Sequence, residues 1–354
     1  MTGTESAVLE IDLGTIAANW RALSALHAHG PVAGVVKADA YGLGAARVAP
    51  ALLAAGCRHF FVAHVGEALA IRSLLPGAML AVLNGLVPGS EGLYRTHAIT
   101  PVLGTLDAIA AWRESGGGEA ILHVDTGMNR LGLDARDIAA LRERLAGITL
   151  RYVMTHLVSS EEPGDPINAL QRDRFAAVRA AFPGVPASFA NSSGIFLGAD
   201  FASDLARPGA ALYGINPTPG GGPNPMRNVA TLRGRVLQVR EIAAGEGVGY
   251  NATWHAARPS RIATVGVGYA DGFLRSLSNR GHGFFDGRPV PLVGRVSMDL
   301  TTFDVTDFPA ITPGAAIELL GPNMPPDALA ALAGTNGYEI LTSLGARYAR
   351  VYQG

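Results

Sequence analysis

Between Thr15 and Gly209, short apolar β-rich runs alternate with longer helical patterns, and this alternation restricts the fold more than any other feature of the chain. The runs are Gly34–Ala38, His59–His64, Met79–Asn84, Ala98–Leu103, Ala120–Asp125, Leu150–His156, Pro186–Ala190 and Ser203–Ala206, the last being the least strand-like. Apolar residues recur at helical spacing between them: Ile109 with Trp112, Ile138 with Leu141 and Leu145, and Phe175 with Val178. A first helix is expected over Thr15–His27. Strands alternating with helices give a parallel sheet covered by helices, and eight repeats predict an (α/β)8, TIM-like barrel. The competing arrangement is an open doubly wound sheet, marked by G-x-G-x-x-G after its first strand. Here the first run leads into Lys37-Ala-Asp-Ala-Tyr-Gly-Leu-Gly44, which lacks that spacing.

The pattern changes at a Pro-, Gly- and Asn-rich stretch, residues 216–228. Strand-like runs follow at Leu232–Ile242, Arg261–Tyr269, Pro289–Val296, Thr301–Val305 and Ala316–Leu320, with one short helix near Pro326–Ala333. Turn signals such as Asp286-Gly287 and Pro313-Gly314 separate them. The expected organisation is an α/β barrel over residues 1–225 and an all-β domain over 226–354. A length of 354 residues suits two domains. With 48% hydrophobic residues and a net charge of -1, the chain is neither disordered nor a general nucleic-acid binder. Cys57 is the only cysteine, which excludes an intramolecular disulfide and a cysteine-rich metal site, so no metal is expected. The N-terminus lacks a basic region followed by an apolar one, and no apolar run reaches ~18 residues. A cytoplasmic protein without a membrane or nucleic-acid partner is expected.

A barrel of this kind works at the C-terminal ends of its strands. Polar residues collect there: Lys37 and Tyr41 after the first strand, His123, Asp125 and Arg130 around the fifth, and His156 at the end of the sixth. Asn191 and Ser192 follow the seventh, and Arg207 and Gly209 the eighth. Lys37 has two readings. It can snorkel to the surface, or it can be an amine in an apolar mouth whose lowered pKa suits Schiff-base chemistry. The loops Asn191-Ser192-Ser193-Gly194 and Arg207-Pro208-Gly209-Ala210 can be ordinary helix caps. They also stand where barrels often bind phosphate. His156 can be a satisfied core histidine or a ligand contact beside the lysine and the arginine.

Several ordered motifs carry a family resemblance. Val35-Val36-Lys37-Ala38-Asp39-Ala40-Tyr41-Gly42-Leu43-Gly44 resembles the pyridoxal-phosphate lysine motif of alanine racemases. Val124–Gly132, Thr155-His156, Asn191-Ser192, Arg207-Pro208-Gly209, Gly249-Tyr250, Gly268–Gly272 and Val293–Asp299 extend the likeness over essentially the whole chain. The resemblance implies a pyridoxal 5'-phosphate barrel followed by a β domain. It also implies a homodimer in which each site is completed by the partner's β domain. On that reading Lys37 bonds the cofactor covalently and is one of two acid–base groups. Tyr250 of the partner subunit is the other. Tyr41, Asn191, Ser192 and the backbone at Gly209 and Ala210 hold the phosphate side. Arg207 faces the pyridine nitrogen and is hydrogen-bonded by His156, and Arg130 contacts the cofactor's phenolic oxygen or the substrate. Met298 and Tyr269, also from the partner, lie at the substrate carboxylate and the entrance. The activity implied is interconversion of L- and D-alanine.

Two positions depart from the family pattern. His123 stands where many members have a carbamylated lysine that orients the arginine matching Arg130. Ala346 stands where many have a phosphate-binding tyrosine. The rival readings are a broad-specificity amino-acid racemase and a non-catalytic cofactor carrier, but such carriers lack the β domain. A related two-domain decarboxylase typically needs a cysteine in the β domain, whereas Cys57 lies in the barrel.

Overall fold

A computed structural model of the chain describes residues 5–354. The first strand, β1 (Ala7–Asp12), runs straight into α1 (Leu13–Leu26). Asp12 ends the strand and caps the helix, its carboxylate accepting the Thr15 N–H at 2.8 Å. Strands β2 (Gly34–Val35), β3 (His59–Val62), β4 (Met79–Val82), β5 (Thr100–Leu103), β6 (Gly118–His123), β7 (Ile148–Met154) and β8 (Ala187–Ser188) then form one seven-stranded parallel sheet in chain order. Between them come α2 (Lys37–Tyr41), α3 (Ala45–Ala55), α4 (Val65–Ile71), α5 (Glu91–Thr96), α6 (Leu106–Glu114), α7 (Leu141–Arg144) and α8 (Pro166–Ala181). The expected helix over 137–145 is broken, a 3-10 stretch Ala135–Ala140 followed by one turn of α7.

The eighth strand is reduced to a few bridging residues, and these close the barrel. Leu205 bridges Ser188 and Ala206 bridges Val32, both in parallel. The Ala33 N–H donates to Ala206 O at 2.8 Å, and the Ala206 N–H to Pro31 O at 3.1 Å. The (α/β)8 expectation therefore holds, with its last strand as weak as its sequence.

The second half supplies β9 (Ala230–Ile242), β10 (Gly247–Val248), β11 (Trp254–His255), β12 (Ser260–Val265), β13 (His282–Phe285), β14 (Arg288–Pro291), β15 (Thr301–Asp304), β16 (Ala316–Leu320) and β17 (Ala349–Gln353). Two helices, α9 (Pro326–Ala333) and α10 (Gly337–Thr342), precede β17. The long strand β9 organises this layer, pairing with β1, β12 and β16. Its inward side chains Leu232 and Val236 are buried, while arginines at 233 and 235 alternate with them. β1 lies between β9 and β17, so the first strand of the chain belongs to the C-terminal sheet. One apolar core runs through both halves, from Leu9 and Ile11 to Val36, Tyr213 and Leu341.

Ile11 is fully buried at this junction, opposite Ala230 and Tyr352. Ile11→Ala should lower the unfolding free energy by ~2–4 kcal/mol through lost transfer and a residual cavity. Urea denaturation at unchanged slope measures it, and a loss below ~1 kcal/mol would mean that the strand is not integral to the core.

Candidate active site

The local conformation after β2 decides where Lys37 points. The turn α2 is left-handed: Ala38, Asp39, Ala40 and Tyr41 have φ of 51°, 53°, 56° and 54°. Each non-glycine residue held there costs ~1–2 kcal/mol, so the surroundings must impose it. The Ala38 N–H donates to Glu67 Oε1 at 2.6 Å, and Asp39 Oδ1 accepts the Ala45 N–H at 2.7 Å. From the C-terminal strand β17, Arg350 donates to Gly42 O at 2.6 Å and the Tyr352 hydroxyl to Leu43 O at 3.1 Å. The result is a half-buried Lys37 on the wall of a cavity of about 390 Å³. Tyr41 turns inward and stacks on Tyr213, ring centroids 4.7 Å apart.

Ser192, Gly209 and Ala210 form a cradle in another part of the wall. The Ser192 hydroxyl accepts the N–H groups of Gly209 (3.0 Å) and Ala211 (3.2 Å). Asn191 Oδ1 accepts the Gly194 N–H and the Ser160 hydroxyl, both at 2.8 Å, which fixes the loop that carries Ser192. A Cβ at Gly209 would overlap the Tyr41 hydroxyl. Only glycine therefore lets the tyrosine oxygen and the backbone amides share one end of the cavity.

Arg207 follows the closing bridge and is buried, donating to the Ser188 hydroxyl and to Thr155 O. Burial lowers its pKa to about 10, so it stays cationic at neutral pH. No hydrogen bond joins it to His156 among the described residues. The interaction there is electrostatic. Burial, then the charges of Arg207, Arg130 and Lys37, drive His156 down to about 3. His123 is pushed down to about 4 by burial first and Arg207 next, with Arg130 adding to it and Asp125 opposing. Lys37 is lowered by burial and by Arg130, with Glu67 opposing. The cationic charge of this mouth thus sits on lysine and arginine, with both histidines neutral.

Lys37, Tyr41, His156, Asn191, Ser192, Arg207, Gly209 and Ala210 all line this one cavity. Arg130 does not line it. It is exposed on a loop pinned by Asp125, whose carboxylate accepts the N–H groups of Gly127, Met128 and Asn129 at 2.8–2.9 Å. Its charge nevertheless reaches Lys37 and both histidines. Tyr250, Tyr269 and Met298 do not line the cavity of their own chain, and the segments carrying both tyrosines pack on residues 294–298. Gly249 packs on the backbone of Gly294 and Arg295, and the N–H groups of Tyr269 and Ala270 donate to Ser297 O (3.0 Å) and Met298 O (2.9 Å). The three side chains are exposed, Tyr250 by 70%.

Sequence reasoning missed Tyr338 and Thr342, which line the cavity from α10. Their spacing puts both on one helix face, and the Asn336 cap was the available signal. Ala346, by contrast, is exposed, Tyr348 is buried, and Tyr352 braces Leu43.

Fold and cavity together define an α/β-barrel protein with a lysine- and arginine-lined mouth and an attached β layer. The model of the alanine racemase N-terminal domain matches residues 11–217, and that of the alanine racemase C-terminal domain matches residues 229–352. The chain belongs to the alanine racemase family, as its motifs suggested. The alanine racemase of Acidiphilium cryptum is 61% identical over 350 residues, covering 97% of this chain and 98% of the relative. That of Rhodospirillum rubrum is 55% identical, covering 99% and 96%. A crystal structure of alanine racemase from Bartonella henselae with covalently bound pyridoxal phosphate matches with a TM-score of 0.94 and 42% identity, covering 98% of this chain and 99% of that one.

The two most depressed histidines, with His27, His59 and His282 shifted the same way, give a pH dependence of known sign. Unfolded histidines titrate near ~6.5, and His123 and His156 titrate near 4 and 3 when folded. Between those values the unfolded chain binds more protons, so stability falls as pH drops below ~6.5. Each histidine adds a slope of up to ~1.4 kcal/mol per pH unit. Urea midpoints of the cofactor-free protein from pH 7 to 5 should fall, and His123→Asn should flatten the trend by about one proton. An unaltered slope in that variant would show that His123 is not held neutral.

Proposed function

We propose that this chain is a pyridoxal-phosphate-dependent alanine racemase that works in the cytoplasm as a homodimer. The observation that carries the proposal is the single cavity holding Lys37, the Ser192–Gly209 cradle and Arg207, in a chain matched end to end by alanine racemases. The residues fit the cofactor. A hydroxyl, backbone N–H groups and the Tyr41 phenol converge at one end, where the missing Cβ of Gly209 lets the phenol oxygen come close to the backbone that would face a phosphate. A permanent cation at Arg207 stands deeper in, suited to a pyridine nitrogen that stays unprotonated.

When bound, pyridoxal phosphate supplies an aldehyde that condenses with amines and a ring that acidifies the α-hydrogen of the attached amino acid. Lys37 would anchor it, and its free amine would hold or give a proton on one face. Burial and Arg130 lower its pKa and so raise the neutral, basic fraction. A planar carbon has two faces, and one group serves both only by crossing the plane. The partner subunit's Tyr250 is assigned to the opposite face. The exposure of Tyr250, Tyr269 and Met298, none of which lines the cavity of its own chain, supports that assignment, since a tyrosine idle in its own chain is free to enter another. His156, neutral beside Arg207, can accept a hydrogen bond but carries no charge that competes with the lysine. Arg130 supplies positive charge over the rim, where Asp125 fixes its loop.

The cofactor-loaded protein incubated with L-alanine in deuterated water should form deuterated D-alanine, read by chiral chromatography with mass detection. A yellow protein that yields no D-alanine would overturn the activity. Shared sites have their own test. Lys37→Ala and Tyr250→Phe homodimers should each lose at least ~10³-fold in kcat, the scale of a lost acid–base group. Mixing the two after reversible dissociation should restore activity, because one site of each mixed dimer keeps both groups. A mixture no better than its components would mean that the sites are not shared.

A further inference from the structure

Glu67 lies outside the recognised motifs, yet its carboxylate accepts the N–H of the residue that follows the anchoring lysine. It is the third residue of α4 and closes a capping box there. Its Oε2 accepts the N–H groups of Ala63 (2.8 Å) and His64 (3.0 Å), the cap position of its own helix. A capping box needs only that oxygen. Oε1 is left over, and it reaches across to the next strand and accepts the Ala38 N–H at 2.6 Å, a charge-assisted bond. Ala38 directly follows Lys37 and is the first of the four left-handed residues. One carboxylate therefore joins the end of β3 to the start of the strained turn. The other braces, Asp39 on Ala45 and Arg350 on Gly42, act later in it.

We propose that Glu67 is a positioning residue for Lys37: by holding the Ala38 N–H it fixes the entry into the left-handed turn and aims the lysine amine into the cavity. This rests on the reading of Lys37 as the residue that bonds pyridoxal phosphate. Glu67 also faces the amine electrostatically, opposing the lowering by burial and by Arg130. His156 shares the cavity and interacts with Lys37 but is neutral. Loss of the Glu67 charge thus lowers the amine pKa further, an effect that a purely structural brace would not produce.

The test compares cofactor-free wild type with Glu67→Gln, Glu67→Asp and Glu67→Ala. Each is mixed with pyridoxal phosphate across a pH series. The covalent adduct is followed by absorbance and located by peptide mass after borohydride reduction. On the high-pH plateau, where the amine is neutral in every variant, Gln and Ala should slow adduct formation roughly tenfold, the worth of one charge-assisted hydrogen bond. They should also move the midpoint of the rate–pH profile downward. Asp keeps the charge but is too short to span both loops, so it should restore the midpoint and not the rate. Amide exchange in residues 37–44 should quicken in the same variants. If Ala does not fold, Gln and Asp carry the comparison. Wild-type rate, midpoint and exchange in Gln would overturn the inference alone. A wild type that forms no adduct on Lys37 would overturn the cofactor reading and the inference with it.

Discussion

The site depends on the closure of the barrel between its first and last strands. Val32 and Ala33 meet Ala206, and Val35 donates to Pro208 O at 3.2 Å. Lys37 leaves one side of that seam, and Arg207 and Gly209 leave the other. Residues 170 positions apart in sequence are thereby made neighbours by a few backbone hydrogen bonds. Parallel strands allow this, because all their chains exit at the same end of the barrel.

The second constraint comes from the opposite half of the chain. A left-handed run of alanine, aspartate, alanine and tyrosine does not persist on its own preference. Two of its braces, Arg350 and Tyr352, lie on β17, which pairs with β1. Tyr338 and Thr342 bring α10 to the same cavity. The β layer therefore acts on the lysine of its own chain through backbone contacts. It also displays Tyr250, Tyr269 and Met298 on a surface that its own cavity does not use.

Much of this was legible in the sequence, for identifiable reasons. The strand–helix alternation marked the barrel because buried parallel strands are short and apolar. Lys37, His156 and Arg207 stood out because a charged or titratable residue at a strand end is conspicuous against such runs. β1 escaped notice because Asp12 serves as both strand end and helix cap, leaving no turn residue between β1 and α1. The handedness of α2 was unreadable because no glycine occupies its four left-handed positions. Arg130 carried a recognisable motif, yet whether it lines the cavity or only charges its rim depends on a loop conformation set by Asp125. Tyr338 was hidden by distance, since its place in the cavity is a property of how the halves pack.

The contact between Tyr41 and Gly209 binds two distant positions into one hereditary unit. The phenol oxygen fills the volume that any side chain at 209 would need. Neither position can drift without the other: a lineage that gains a side chain at 209 must first shorten or remove the ring at 41. Across related sequences the pair should be inherited as a block, although 168 residues of chain separate them.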